Sequence, residues 1–227
     1  WITSVGCQGN AYDDLREQTG KLTVGYGAFG AAGNRIGPEY LFGITMEKRL
    51  AGPALIIKTA WGGRSLHTDF RPPGGGAFEW GEAELARRKE RGDDVGKLKA
   101  DKVKATGVYY REMIAHVKKV LGDINRVVPG YDPKQGYELA GFVWFQGFND
   151  HVDGGVYPDR MKPGGYDLYA DLLAHLIGGV RKDLSAPPLP FVVGVMGIDG
   201  LEKGANPTMA HFRAAQRKPG ALAEFKG

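Results

Sequence analysis

The chain has 227 residues, enough for one α/β domain of ordinary size. Hydrophobic residues make up 42% and charged residues 25% of it, and its 36 glycines follow no repeat, which excludes collagen-like and low-complexity chains. The net charge is only +4, and the basic residues of segment 81–119 are interleaved with acids, so no nucleic-acid groove is expected. No apolar run reaches ~18 residues, so no membrane span is predicted. One cysteine, Cys7, excludes an internal disulfide and leaves the compartment open.

The first third of the chain predicts a strand, a long connection and a helix. Trp1–Val5 has the composition of a short strand, and residues 10–36 show too little periodicity for a regular element. Such a long irregular connection is typical of loops that shape a site. Pro38 and Glu39 mark a helix start, and the helix is expected to reach about Leu50, with Leu41, Phe42, Ile44 and Leu50 toward the core.

The middle of the chain predicts a strand, a charged insertion and an amphipathic helix. Ala54–Thr59 is apolar and β-branched, which favours a strand. Residues 81–104 are strongly charged and are predicted to be partly helical, on the outside of the domain. Val108–Leu121 places apolar side chains three and four residues apart, which indicates a helix with one buried face.

The last third continues the alternation of strands and helices. Phe142–Phe145 is a continuous apolar run and predicts a strand buried on both faces. Tyr166–Val180 predicts a helix, Phe191–Met196 a strand and Pro207–Gln216 a short helix. This alternation favours a single α/β domain with parallel strands and right-handed crossovers.

Two of the predicted strands end in groups that could stabilise a negative charge. Gly62 and Gly63 follow the strand at residues 54–59 and offer backbone N–H groups at positions that allow a positive φ. Gln146 and Asn149 follow the strand at residues 142–145 and offer side-chain amides. Fixed donors of this kind form the oxyanion hole of acyl-transfer enzymes, and ligands of α/β sheets bind at the carboxyl ends of strands. The predicted oxyanion donors are therefore Gly62, Gly63, Gln146 and Asn149.

Several polar neighbours of these residues have two interpretations each. Arg64 and His67 could contact a sugar or carboxylate, or they could make structural salt bridges. Asp150 could contact substrate, although an aspartate in this position more often braces its own turn. His151 and Asp153 could suggest a metal site, but no third ligand stands nearby in the sequence, and no metal is predicted.

The combination of three segments resembles the sialate O-acetylesterase-like branch of the SGNH (GDSL-type) hydrolases, which also holds acetylxylan-esterase-like carbohydrate esterases. The segments lie within roughly residues 35–200 and are Gly37-Pro38-Glu39 with Phe42-Gly43, Ile56-Ile57-Lys58-Thr59-Ala60-Trp61-Gly62-Gly63-Arg64-Ser65-Leu66, and Val143-Trp144-Phe145-Gln146-Gly147-Phe148-Asn149-Asp150.

The resemblance implies a three-layer α/β/α flavodoxin-like domain with a parallel sheet, and a serine enzyme that removes O-acetyl groups from sugars without a cofactor. Gly62 or Gly63 matches the second block of the family and Asn149 the third, both as oxyanion donors. Gln146 matches a glutamine that is common in this branch, whereas Phe148 stands where many members have a glutamate. The implied partner is an acetylated carbohydrate, and the implied location is secreted or periplasmic.

The chain departs from the family at the nucleophile and at the acid–base pair. None of its three serines, Ser4, Ser65 and Ser185, stands in a Gly-Gln-Ser-Asn turn, and no histidine follows an aspartate by three residues. If the resemblance holds, the first strand with its nucleophile and the catalytic histidine lie outside residues 1–227, and the chain is a partial domain. The alternative is a non-catalytic carbohydrate-binding or scaffold protein on the same fold.

Overall fold

The structure, a computed structural model, describes residues 1–7, 15–27, 35–200 and 206–225. Among these residues five strands form: β1 (Ile2–Cys7), β2 (Leu15–Gly20), β3 (Ile56–Thr59), β4 (Phe142–Trp144) and β5 (Phe191–Val193). The α-helices of the same ranges are α1 (Pro38–Glu47), α2 (Glu82–Glu90), α3 (Val95–Ala105), α4 (Val108–Gly122), α5 (Phe148–Val152), α6 (Asp167–Asp183) and α7 (Pro207–Arg217). The chain is therefore of the mixed α/β class, and it forms two compact units, Trp1–Gly63 with Met113–Glu138, and Arg64–Glu112 with Leu139–Gly227.

The first unit contains a three-stranded sheet in the order β2-β1-β3. β1 and β3 are parallel, with Ile2 opposite Ile56 and Val5 opposite Thr59, as the predicted alternation requires. β2 is antiparallel to β1 and lies inside the connection at 10–36, where the sequence predicted no regular element. Residues 10–14 and 28–34 of that connection lie outside the described ranges. β2 is polar because it is an edge strand, so backbone pairing rather than apolar burial holds it in place.

The prediction for α1 is confirmed in its position and wrong in its buried face. The helix begins at Pro38 as expected, but Leu41 is 69% and Phe42 43% exposed, and Leu50, beyond the end of the helix, is 39% exposed. Glu39 is buried instead, because Lys58 Nζ of β3 lies 3.1 Å from its carboxylate. A buried ion pair therefore orients this helix where the sequence suggested an apolar stripe.

The second unit contains the two parallel strands β4 and β5, with Val143 opposite Val192. Trp144 is buried, and the ring of Phe70 meets its ring edge-on at 5.2 Å between centroids. Val143 is 51% and Val192 58% exposed, so the expectation of a strand buried on both faces is wrong. Successive residues of a strand point to opposite faces, and the described residues cover only the face that carries Trp144.

The predicted amphipathic helices are confirmed. In α4 the side chains of Met113, Val117 and Val120 are buried, and in α6 those of Leu173 and Leu176 are fully buried. Each buried set repeats every three or four residues, which is the pattern that the sequence showed.

The strongly charged segment at 81–104 is helical over most of its length, as the sequence predicted. It forms α2 and α3, in which no residue is fully buried. The Asp94 side chain caps α3 by accepting the Lys97 backbone N–H at 2.9 Å. Over the described part of the chain, no helix has both the length and the apolar character that crossing a bilayer requires.

Candidate functional site

The glycine pair forms an exposed turn at the end of β3, in the first unit. Trp61 before it is buried, whereas Gly62 and Gly63 are exposed. Gly63 has φ +73°, a left-handed conformation that favours glycine, and the space around Gly62 is open. The residue type therefore follows from the turn, as the sequence suggested.

A short hydrogen-bonded turn follows in the second unit, built on Ser65 and Asp69. The backbone N–H and the hydroxyl of Ser65 both donate to Asp69 Oδ2, each at 2.8 Å. The Ser65 hydroxyl oxygen in turn accepts the Thr68 N–H at 3.3 Å. Because the side chain of Ser65 is also buried, its hydroxyl serves to cap this turn.

Arg64, at the start of this turn, lies between an acid and an aromatic ring. Its Nη1 is 3.6 Å from Asp69 Oδ1, and its guanidinium carbon lies 4.4 Å from the centre of the Tyr109 ring. The structure therefore shows the salt bridge that was one of its two interpretations.

The carboxylate of Asp150 fastens this turn to the segment after β4. Asp150 is fully buried, and its Oδ2 accepts the Leu66 backbone N–H at 2.7 Å and Gln146 Nε2 at 2.6 Å. Its Oδ1 accepts the His67 N–H at 3.0 Å and the Tyr157 hydroxyl at 2.9 Å. Four donors on one buried carboxylate fix two segments that are more than 80 residues apart in the sequence.

Gln146 contributes a second link between the same segments. Its Nε2 also donates to the Arg64 carbonyl at 3.0 Å, so both amide N–H groups are used within the protein. The backbone carbonyl of Gln146 accepts the Tyr169 hydroxyl and Gln216 Nε2, each at 3.2 Å. This amide is therefore a fixed part of the framework.

Asn149 differs from Gln146 in having an uncommitted amide. It lies in α5, which begins directly after Gly147. Gly147 is closely packed, since a Cβ atom added there would come within 2.7 Å of both Met196 and Phe212. Asn149 is half-buried, and its side chain has no hydrogen-bond partner among the residues that the structure describes. Its donors are thus available to a bound molecule.

His67 is the centre of a second hydrogen-bonded chain. Lys102 Nζ, from the charged insertion, donates to Thr68 Oγ1 at 3.2 Å, and this hydroxyl lies 2.7 Å from His67 Nδ1. On the other side of the buried ring, His67 Nε2 lies 3.2 Å from Asp153 Oδ2. The Thr68 hydroxyl can accept from Lys102 and donate its own proton to Nδ1. In the tautomer that matches this arrangement, Nε2 carries the ring proton and donates it to Asp153.

Asp153 is held as an anion by this chain and by its own loop. Its hydrogen bond with His67, and then the backbone N–H groups of Val156 and Gly155, lower its pKa to about 2. The pKa of Lys102 lies below its usual value, because burial of the ammonium group outweighs the charges of Asp153 and Asp69, which raise the pKa. The pKa of Tyr157 lies well above its usual value, because the ring is buried and its hydroxyl faces the Asp150 carboxylate.

Arg71 shapes the glycine-rich loop that follows. The side chain is buried, and all its bonds go to backbone carbonyls: Nε to Gly76 at 2.9 Å, Nη1 to His67 at 3.0 Å, and Nη2 to Gly75 at 2.8 Å and Ala77 at 2.9 Å. A loop with little conformational preference of its own is therefore held by one guanidinium group.

The partners of His67 were not predicted from the sequence. Asp153 was expected only as a companion of His151, but the structure places Asp153 beside His67, and His151 Nε2 lies 3.1 Å from Thr208 Oγ1. Thr68, Lys102 and Tyr157 were not predicted as site residues. Two of these contacts join distant positions, since Lys102 lies 34 residues after Thr68 and Asp153 lies 86 residues after His67. Thr68 is next to His67 and Tyr157 lies seven residues after Asp150, but neither residue type marks such a contact by itself.

Two solved structures are similar to this chain over part of their own length. A structure described as a novel carbohydrate acetylesterase from Xanthomonas citri matches 97% of this chain and 40% of its own length, with 15% identity and a TM-score of 0.51. The X-ray structure of an Arabidopsis thaliana protein matches 95% of this chain and 63% of its own length, with 18% identity and a TM-score of 0.49. The chain thus spans less than two thirds of either structure.

Sequence comparison identifies the family. No curated protein matches the chain. A family model described as "Carbohydrate esterase, sialic acid-specific acetylesterase" matches residues 21–224, which include the turn after β3 and the segment after β4. The chain therefore belongs to this carbohydrate esterase family.

Proposed function

We propose that this chain is part of a serine esterase that removes O-acetyl groups from carbohydrates through an acyl-enzyme. Membership of the carbohydrate esterase family supports the substrate class, and the description of the Xanthomonas citri structure as a carbohydrate acetylesterase supports the acetyl group. We also propose that the complete domain has the three-layer α/β/α, flavodoxin-like arrangement.

The buried Asp150 carboxylate is the observation that carries the proposal. It holds Leu66 and His67, which follow the glycine pair in the chain, and Gln146, which precedes Asn149 by three residues. The four donors to Asp150 all belong to the protein, so the two segments are held in place without a substrate. Donors on segments that are fixed in advance can stabilise the oxyanion without reorganising during the reaction.

The proposed roles follow from what each side chain has left to offer. The backbone N–H groups of Gly62 and Gly63 and the amide of Asn149 serve as oxyanion donors. Gln146 and Asp150 are positioning residues within the second unit, since the donors of Gln146 and the oxygens of Asp150 are used internally. Arg64, which is half-buried, lines the acyl or sugar pocket, and the buried His67 shapes that pocket from behind.

The reaction proceeds in two acyl-transfer steps. A serine oxygen attacks the acetyl carbonyl carbon while a base takes the serine proton, and the carbonyl oxygen becomes the oxyanion. Collapse of this intermediate breaks the bond to the sugar oxygen, which leaves with the proton. Water then attacks the acyl-enzyme in the same way and releases acetate.

The nucleophile is assigned to none of the serines in residues 1–227. The hydroxyl of Ser65 caps its own turn, Ser4 is buried within β1, and Ser185 follows α6 with φ +53°. We therefore propose that the serine and the acid–base pair come from residues outside this segment.

The test uses the full-length protein with p-nitrophenyl acetate and acetylated xylan as substrates. Removing one oxyanion donor typically lowers kcat by about 10²- to 10³-fold, so we expect this loss for Asn149→Ala with KM nearly unchanged. Asp171→Ala, an exposed position on α6, should retain parental activity.

Labelling with a fluorophosphonate separates the enzyme from the non-catalytic alternative. The esterase should be labelled at a serine and lose activity in proportion. The alternative is supported if the full-length protein is neither labelled nor active, yet migrates more slowly in an affinity gel that contains acetylated xylan. Such a result would show that the fold serves binding alone. An Asn149→Ala variant with unchanged kcat would remove Asn149 from the proposed site.

A further inference from the structure

A cleft in the first unit lies apart in sequence from every residue of the proposed esterase site. It has a volume of about 450 Å³ and is formed by the end of α4 and the segment that follows, from Leu121 to Tyr137. This volume is within the range of small-molecule sites, roughly 300–1,000 Å³. All of its lining belongs to one continuous stretch of the chain, Met113–Glu138.

Consecutive turns hold this stretch in place. The Val128 N–H donates to the Ile124 carbonyl at 2.8 Å, and the Tyr131 N–H donates to the Val128 carbonyl at 3.2 Å. The Asp132 side chain then accepts the Lys134 N–H at 2.9 Å. Ile124, which also lines the cleft, is buried, so contacts within the protein hold this part of the lining.

The side chains at the cleft suit a neutral polyol. Tyr131 and Tyr137 line it, and Tyr137 is 56% exposed, whereas every other tyrosine within the described ranges is buried or half-buried. Asp123 and Asn125 are exposed beside them and supply hydrogen-bond acceptors and donors. None of the described residues that line the cleft is a lysine, arginine or histidine, which argues against a phosphate or carboxylate ligand.

We propose that this cleft is a second, non-catalytic carbohydrate-binding site that takes neutral sugar units. The C–H-rich face of a pyranose ring packs on the Tyr137 ring, where the electron-rich π face attracts C–H groups. The hydroxyl groups of the same sugar unit bond to Asp123 and Asn125. Such a site would keep the protein on a polymeric carbohydrate while the ester chemistry proceeds elsewhere.

The experiment measures binding of unacetylated xylohexaose, cellohexaose and maltohexaose to the full-length protein by isothermal titration calorimetry. We expect at least one of them to bind, and Tyr137→Ala to weaken that binding roughly tenfold, as truncation of an aromatic anchor does. Tyr137→Trp should retain binding, and Val103→Ala, which is 74% exposed on α3, should leave it unchanged.

The outcomes separate this site from the esterase site. Hydrolysis of p-nitrophenyl acetate by Tyr137→Ala should equal that of the parent, since this substrate carries no sugar. Absence of binding for all three oligosaccharides would overturn the proposal, and so would binding that Tyr137→Ala leaves intact. An inactive full-length protein that still binds through Tyr137 would contradict the esterase proposal alone.

Discussion

At the scale of single residues, the Asp150 carboxylate is the most constrained group of the candidate site. It is fully buried and accepts four hydrogen bonds. In Asp150→Asn an NH₂ group, which can only donate, replaces one of the two oxygens. The two protein donors that bonded to that oxygen then face another donor. We expect a loss of about 3 kcal/mol in the free energy of unfolding, because donors are left buried and unpaired.

Urea unfolding followed by circular dichroism tests this expectation. Asp171→Asn, an exposed aspartate on α6, should change the free energy of unfolding by less than about 0.5 kcal/mol. If Asp150→Asn changed the free energy of unfolding as little as Asp171→Asn, the carboxylate of Asp150 would not be what holds the two segments together.

Asp153 provides a pH-dependent contribution to stability. Its pKa is about 2 in the folded protein, below its usual value of 3.8, so the charged form is favoured by folding. The stabilisation is therefore present above about pH 4 and is lost as the pH falls toward 2. The size of the effect is moderated by solvent, because 37% of the side chain is exposed.

The measurement compares Asp153→Asn with the parent protein between pH 7 and pH 2. The two free energies of unfolding should differ most at neutral pH and converge as the pH falls below 4. A constant difference over this range would contradict the link between the Asp153 pKa and stability.

At the scale of elements, Lys102 connects the charged insertion to the candidate site. Its Nζ lies 4.3 Å from the centre of the Phe78 ring and 5.4 Å from that of Trp80, and it donates to Thr68 Oγ1. Lys102→Met retains the length of the side chain and removes the charge. We expect α3 to lose about 1 kcal/mol of local stability, the usual size of a partly buried cation–π contact.

Amide hydrogen exchange of α3 measures this loss directly. Protection of residues 95–105 should fall in Lys102→Met, whereas Lys104→Met, an exposed position on the same helix, should leave it unchanged. Equal protection in both variants would mean that the insertion is held by other contacts.

The elements show which parts of the fold the sequence could predict. α4 and α6 were predicted because a buried face repeats with the period of a helix, which is a local property. β2 was missed because an edge strand needs little apolar burial, and the buried face of α1 was wrong because Lys58 on another element neutralises Glu39. The same reason explains the site: Gly63 follows from its own turn, while the pairing of His67 with Asp153 joins residues 86 positions apart.

At the scale of the whole molecule, the sheet of the second unit, β4 with β5, differs from a sheet that is covered on both sides. In the second unit Leu176 of α6 is fully buried, whereas Val192 of β5 is 58% exposed. Leu176→Ala should cost about 2–5 kcal/mol in the free energy of unfolding. Val192→Thr retains the β-branched shape at an exposed position and should stay within about 0.5 kcal/mol of the parent.

Thermal and urea unfolding of the 227-residue chain test this pair of substitutions together. A cost above about 1 kcal/mol for Val192→Thr would indicate that the Val143–Val192 face is covered in solution. Such a result would turn the exposed face into an interface, and its occupant could then be sought by cross-linking.

The bonds of Arg71 have a consequence for anyone who would re-engineer the loop at 73–77. The shape of this loop depends on a side chain that precedes it, since the guanidinium of Arg71 donates hydrogen bonds to three successive backbone carbonyls. Lysine, with a single nitrogen, could not span them. A graft of this loop into another scaffold would therefore need to carry its arginine along, and a library that randomised only the glycines would leave the true determinant untouched.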